Sequence, residues 1–155
     1  MKPVPHRDNN PHRFQECQVD KTEWTHAAHL CVGTWHVAHF GEAEALDRLR
    51  SGIQRLNISL GGTNTDTAGY HETITRAYVR LLGDYLQRYP QAKVVTAVQR
   101  LLAGPLAAND VLLQFYSEER LTSVAARLGP VEPDLRPISA EITERFLSGG
   151  ASTRA

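Results

Sequence analysis

The sequence predicts an all-α fold, a bundle of four or more helices. Three observations carry this. Apolar residues recur at spacings of three and four, most clearly at Leu46, Leu49, Ile53, Leu56 and Leu60, the period of one helix face. Helix-ending residues stand where the periodic windows stop: Gly41, Gly61-Gly62, Pro90 and Ala103-Gly104-Pro105. No window alternates polar and apolar residues as a half-buried strand does.

In chain order, residues 1–19 are rich in Pro, Asn, His and Arg and read as a leader, flexible or laid over the domain. Asp20-Lys21-Thr22-Glu23 has the spacing of a capping box, so a first helix is expected from there to Phe40. That helix is apolar nearly all round from Trp24 to Phe40, which places it in the middle of the domain. Gly41 is positioned to end it. A second helix follows from about Glu42 to Ile58, and the short connection makes the two antiparallel neighbours. The polar stretch 61–69 (GGTNTDTAG) reads either as a surface loop that caps the next helix or as a lid over a site. A third helix is expected from about Tyr70 to Arg88, ending before Pro90. Its buried seam is His71, Ile74, Tyr78, Leu81 and Tyr85, with Glu72, Thr75, Val79, Leu82 and Leu86 beside it. The start of the bundle is therefore up-down-up. A fourth helix spans about Gln91 to Leu102, a shorter one Ala108 to Tyr116, and another runs from Ser117 to Leu128. Residues 129–139 hold three prolines and must be extended. Glu141 to Leu147 is a last helical turn or two, and residues 148–155 are a disordered tail. The single helical domain is thus 20–147.

Composition narrows the function. A chain of 155 residues, 41% apolar and 22% charged, has the size and balance of one globular domain. Its formal net charge is zero, which argues against nucleic acid and anionic membrane surfaces as partners. The apolar stretch 24–40 is shorter than the roughly 20 residues of a membrane span. The N-terminus lacks the apolar core of a secretory signal. Cys17 and Cys31 read as free thiols in a reducing compartment. A cytoplasmic protein is expected, with a small-molecule substrate as the expected partner and homo-oligomerisation left open.

The chemistry lies in the histidines. WTHAAHLCVGTWHVAHF carries His26, His29, His36 and His39. At about 100° and 1.5 Å per residue, His26 and His29 share a face, while His26 and His36 stand roughly 15 Å apart. If the first and third helices are parallel, His26 and His29 lie at the same end of the bundle as His71 and Glu72. The positive helix end there favours a carboxylate and a neutral imidazole. Two or three imidazoles and a carboxylate suit a divalent metal, Zn, Fe or Mn. The expected site is therefore a metal held by His26, His29 and His71, with Glu72 as ligand or general base and Tyr70 or Thr73 as hydrogen-bond donor. His71-Glu72 begins like the zinc-protease motif HExxH, but Thr75 stands where its second histidine belongs. The bland alternatives are core histidines that satisfy one another, with His36 and His39 structural or on the surface. Trp24 and Trp35 read as packing residues, and Cys31 as a small buried apolar residue. Arg120, Arg127, Glu132, Asp134 and Arg136 read as surface ion pairs, with an anion clamp at Arg120 or Arg127 as the alternative.

The blocks WTHAAHL, GYHETIT and YSEERL…VEPDLRPI resemble those of a family of small bacterial helical proteins of unassigned function, across most of Trp24 to Ile138. That resemblance implies a shared histidine pattern and no activity. A fainter likeness is to the DinB/YfiT-like four-helix bundles, which implies a metal held by three histidines. The late HxxxH pair of that group is missing here, since no histidine follows His71. The leading expectation is a metal-dependent small-molecule enzyme of hydrolase, transferase or oxygenase type. The alternative is a non-catalytic helical accessory or oligomerisation module with a structural histidine cluster.

Overall fold

The structure is a computed structural model that describes residues 11–90 and 93–147. The first ten residues of the expected leader and the expected tail, 148–155, lie outside the described residues. All regular structure among the described residues is helical, as expected. The helices are α1 (Pro11–Gln15), α2 (His26–Ser59), α3 (Glu72–Arg88), α4 (Val94–Ala103), α5 (Glu118–Leu121), α6 (Val124–Leu128) and α7 (Ala140–Leu147).

Helix α2 is two arms joined at Gly41, whose φ of 76° and ψ of 169° are not helical. That conformation is open essentially to glycine alone, so the expected break falls where the sequence places it. The arms fold back on each other. Leu30 and Gly33 of the first arm line one cavity with Ile53 and Leu49 of the second. Helix α3 lies against both. Glu72 meets Arg50 and Gly83 meets Glu42, so α3 runs antiparallel to the second arm. His26 meets Tyr78 and Gly33 meets Leu82, so it runs parallel to the first. The up-down-up start holds. Residues 30–34 of the first arm are all buried, as its apolar character predicts, but Ala27, His29, Ala38 and His39 are exposed, so the all-round burial is confined to the middle of the arm.

Two expectations are corrected. Helix α2 does not begin at the Asp20 box. Thr25 is its cap, and its Oγ1 accepts a hydrogen bond from the Ala28 N–H at 3.2 Å. The Asp20 carbonyl instead accepts from the Glu23 and Trp24 N–H groups in a turn. Two acceptors competed for the cap, and the one next to the buried run took it. Residues 11–19 are not flexible either, but take the other form expected of the leader and lie over the domain. Phe14 and Val19 are each 1% exposed. A Cβ on Gly52 would sit 2.5 Å from the Phe14 ring, so that glycine makes room for it. One aromatic residue in a polar stretch has no period by which to announce its burial.

The second half of the chain is built differently. The expected helix 108–116 is instead a single 3₁₀ turn, Val111–Gln114, and another, Pro105–Ala107, precedes it. The expected helix after Ser117 is divided into α5 and α6, each capped by a serine, Ser117 and Ser123. Residues 129–139 contain no helix, as three prolines require. Side chains tie these pieces to the hairpin and to each other. The Thr73 hydroxyl donates to the Gly129 carbonyl, Tyr116 to Val131, and Tyr85 to Ala97. No helix of the described residues is long and apolar enough to cross a membrane.

Candidate functional site

His71 is the cap of α3, with extended backbone at φ −131° and ψ 110°. Its Nδ1 accepts from the Ile74 N–H at 3.1 Å. The ring must therefore carry its proton on Nε2, which donates to the Leu121 carbonyl at 2.8 Å. One imidazole closes the first turn of α3 and clips α5 to it. Burial lowers its pKa below the ordinary 6.5; the bond to Leu121 opposes this, and the charge of Arg127 adds to the lowering. A neutral ring is what this arrangement needs, because a proton on Nδ1 would meet the Ile74 N–H head on.

Glu72 follows at the positive end of α3, where a carboxylate is favoured. It is 6% exposed and fully engaged. Arg50 holds it with a two-pronged grip, Nε to Oε1 at 2.7 Å and Nη2 to Oε2 at 2.9 Å. The Tyr70 hydroxyl donates to Oε1 at 2.9 Å, and Arg76 stands 3.5 Å from Oε2. Hydrogen bonding from Arg50 is the main reason its pKa is lowered. Tyr70 is pushed up to about 12, chiefly by burial, so its hydroxyl keeps its proton. Arg50 also donates to Asp47 at 2.9 Å. A cavity of about 220 Å³ opens beside this cluster, lined by Arg50, Gln54, Asn64, Thr65, Tyr70, Glu72, Arg127 and Leu128. Loop 61–69 is thus both surface and wall. Asn64 anchors it: its Oδ1 accepts from Asn57 Nδ2 and the Tyr70 N–H, and its Nδ2 donates to the Gln54 carbonyl.

The other predicted residues border a second cavity, of about 340 Å³, between the two arms of α2 and α3. Its walls are Leu30, Gly33, Leu49, Ile53, Ile74, Val79 and Leu82, and its polar groups come from Trp24, His26, His29, Thr75 and Tyr78. The His26 ring lies edge-on to Tyr78 with centroids 5.8 Å apart. Burial lowers the His26 pKa, and a hydrogen bond of the ring to the Ala108 backbone opposes this. Among the described residues its buried Nε2 has no hydrogen-bond partner. His29 packs its ring on Trp24, centroids 3.7 Å apart, and donates from Nδ1 to the Thr25 carbonyl at 2.7 Å. Tyr78 is raised to about 12, mainly by burial.

The five residues expected to form one site are therefore divided between two places. His26 and His29 share the apolar cavity, Tyr70 and Glu72 share the polar cluster, and His71 spends both nitrogens on the backbone. Among the described residues, no three ligating side chains converge. The helices are parallel as expected, but they are staggered. His26 is level with Tyr78, two helical turns beyond His71, an axial offset of roughly 10 Å at about 1.5 Å per residue. Sequence reasoning missed Arg50, because its partner is in another helix. Tyr78 was visible only as part of the buried seam. His36 is buried and donates from Nδ1 to the Val32 carbonyl; exposed His39 does the same to Trp35. Cys31 is a buried thiol raised to about 11 by burial, the inert state expected of it. No family model matches the chain, and no curated protein or solved structure is significantly similar to it.

Proposed function

We propose that this protein binds a small, mainly apolar molecule in the cavity between α2 and α3, with His26 reading the polar end of the ligand. One observation carries the reading: His26, whose Nε2 is buried and has no hydrogen-bond partner among the described residues, lines a mainly apolar cavity of about 340 Å³. A buried polar atom left unpaired costs about 1–3 kcal/mol. A ligand that supplies the missing hydrogen bond recovers that energy, and apolar walls with few polar groups are the common design of small-molecule sites. The neutral ring can donate or accept there, according to its tautomer. The test is a thermal-shift screen of aromatic and branched aliphatic alcohols, amides and acids, followed by calorimetry. A saturable ligand whose affinity falls in His26→Phe supports the reading. No ligand, or equal binding by His26→Phe, retires it.

A second reading keeps the metal expected from the sequence and rests on His29. Its Nδ1–H is held by the Thr25 carbonyl, which leaves the Nε2 lone pair outward, as in a metal-ligating histidine. His26 and His29 would then grip a Zn, Fe or Mn ion in the same cavity, with remaining positions filled by substrate or water, and the protein would be a metal-dependent enzyme. His71 and Glu72 would take no part. Metal analysis of untagged protein decides it: a stoichiometric metal lost in His29→Ala supports it, and metal-free protein that binds none of these ions retires it.

A further inference from the structure

We infer that the cavity beneath loop 61–69 is an oxyanion site centred on Arg127, taking the carboxylate or phosphate group of a small molecule. Arg127 approaches from α6 and uses Nη1 alone on the backbone, donating to the Gly69 carbonyl at 2.7 Å and to Tyr70 at 3.5 Å. Among the described residues no carboxylate pairs with it. Its neighbours differ. Arg50 is divided between Glu72 and Asp47, and Arg76 leans on Glu72. Three guanidinium groups thus face two carboxylates, and one positive charge is left over. Its field reaches the His71 ring.

Glu72 lines the same cavity but is already covered by Arg50 and Tyr70, so it is poorly placed to repel an anion. Further donors stand on the wall. Thr65 Oγ1 accepts from the Thr67 and Ala68 N–H groups and stands 3.5 Å from the Thr67 hydroxyl, a long contact that its proton can exchange for a ligand oxygen. The Gln54 side chain lines the cavity as well. The wall is built in advance, because Asn64 fastens the loop to α2 and Tyr70. A Cβ on Gly69, at φ +84°, would fall 2.0 Å from the Thr63 carbonyl, so the turn that presents Gly69 to Arg127 requires glycine. A fixed planar fork with an unspent charge is suited to carboxylate or phosphate, more so than a lysine would be. The companion arginine from the sequence, Arg120, is not equivalent, since it does not line this cavity and its Nε donates to the Glu132 carbonyl.

Calorimetric titration of the full chain at low ionic strength tests this, with inorganic phosphate in one arm and succinate in the other. Saturable binding of either supports the site, and the better of the two identifies the group it takes. Arg127→Gln should lower that affinity by about tenfold or more, the worth of a charge-assisted hydrogen bond. Arg127→Lys should fall between, and Thr65→Val should weaken binding less. His26→Phe should leave it unchanged, which separates this site from the apolar cavity. No saturable binding of either probe overturns the inference, as does full affinity in Arg127→Gln. If Arg127→Gln does not fold, Thr65→Val and Gln54→Ala decide: weaker binding in either supports the site, and full affinity in both overturns it.

Discussion

His26 and His71 stand at the starts of two parallel helices in the same hairpin and end in opposite states. His71 is the cap itself. Its extended backbone folds the ring back over the first turn, where one nitrogen serves Ile74 and the other Leu121. At the start of α2 the cap is Thr25, so His26 is one place further in. Its ring turns sideways onto Tyr78 and leaves Nε2 unpartnered. A shift of one residue relative to the cap separates a histidine that holds the fold from one whose Nε2 has no partner among the described residues.

The largest effect should come from removing the satisfied ring. His71→Ala loses a cap and strands the Leu121 carbonyl, which together should destabilise the protein by about 3 kcal/mol in urea denaturation. His71→Asn, which caps well, should recover about 1 kcal/mol of that. If His71→Ala were as stable as the wild type, the cap would not be holding α3 and the contrast with His26 would fall.

Next in size is Glu72→Gln. It leaves the half-buried Arg50 with Asp47 and solvent, and should cost about 2 kcal/mol. Unchanged stability would mean that the cluster is not structural and that Glu72 is free for other work.

The pH dependence sharpens the same comparison. The folded-state pKa of His71 lies below the ordinary 6.5. Between those two values the unfolded chain binds more protons, so stability falls as pH drops through 6.5 and stops falling below the folded pKa. Burial sets His26 and His36 in the same direction. The informative measurement is therefore the difference between wild type and His71→Asn, whose loss of stability between neutral and mildly acidic pH should be smaller. Parallel curves would show that His71 does not titrate on unfolding.

The smallest effect is expected at His26. His26→Phe removes an unpartnered atom and keeps the ring against Tyr78, so stability should stay within about 1 kcal/mol of wild type. A large loss would show that His26 has a structural partner after all.

Much of the first half of the chain was legible because its signals are local. The apolar face of the second arm, the stop at Gly41 and the buried run through residues 30–34 all depend on residues a few positions apart. The second half was read less well. Its short helices are held by long-range bonds such as Thr73 to Gly129 and His71 to Leu121, which no periodicity reports. The site was legible as a set of residue types but not as an arrangement. His26 and His29 line one cavity and Tyr70 and Glu72 another, while His71 is spent on the backbone, so the five do not meet at one place.

By itself the sequence determined the helical class, the hairpin of α2 and the parallel course of its first arm and α3. Those follow from backbone sterics at glycine and from burial at a fixed helical period. Only the tertiary structure decided how far α3 slides along that arm. The slide depends on side-chain fit, such as Leu82 against Gly33 and Glu42 over Gly83, and on the ion pair between Arg50 and Glu72. That axial offset, and not the choice of residues, set His26 against Tyr78 and away from His71.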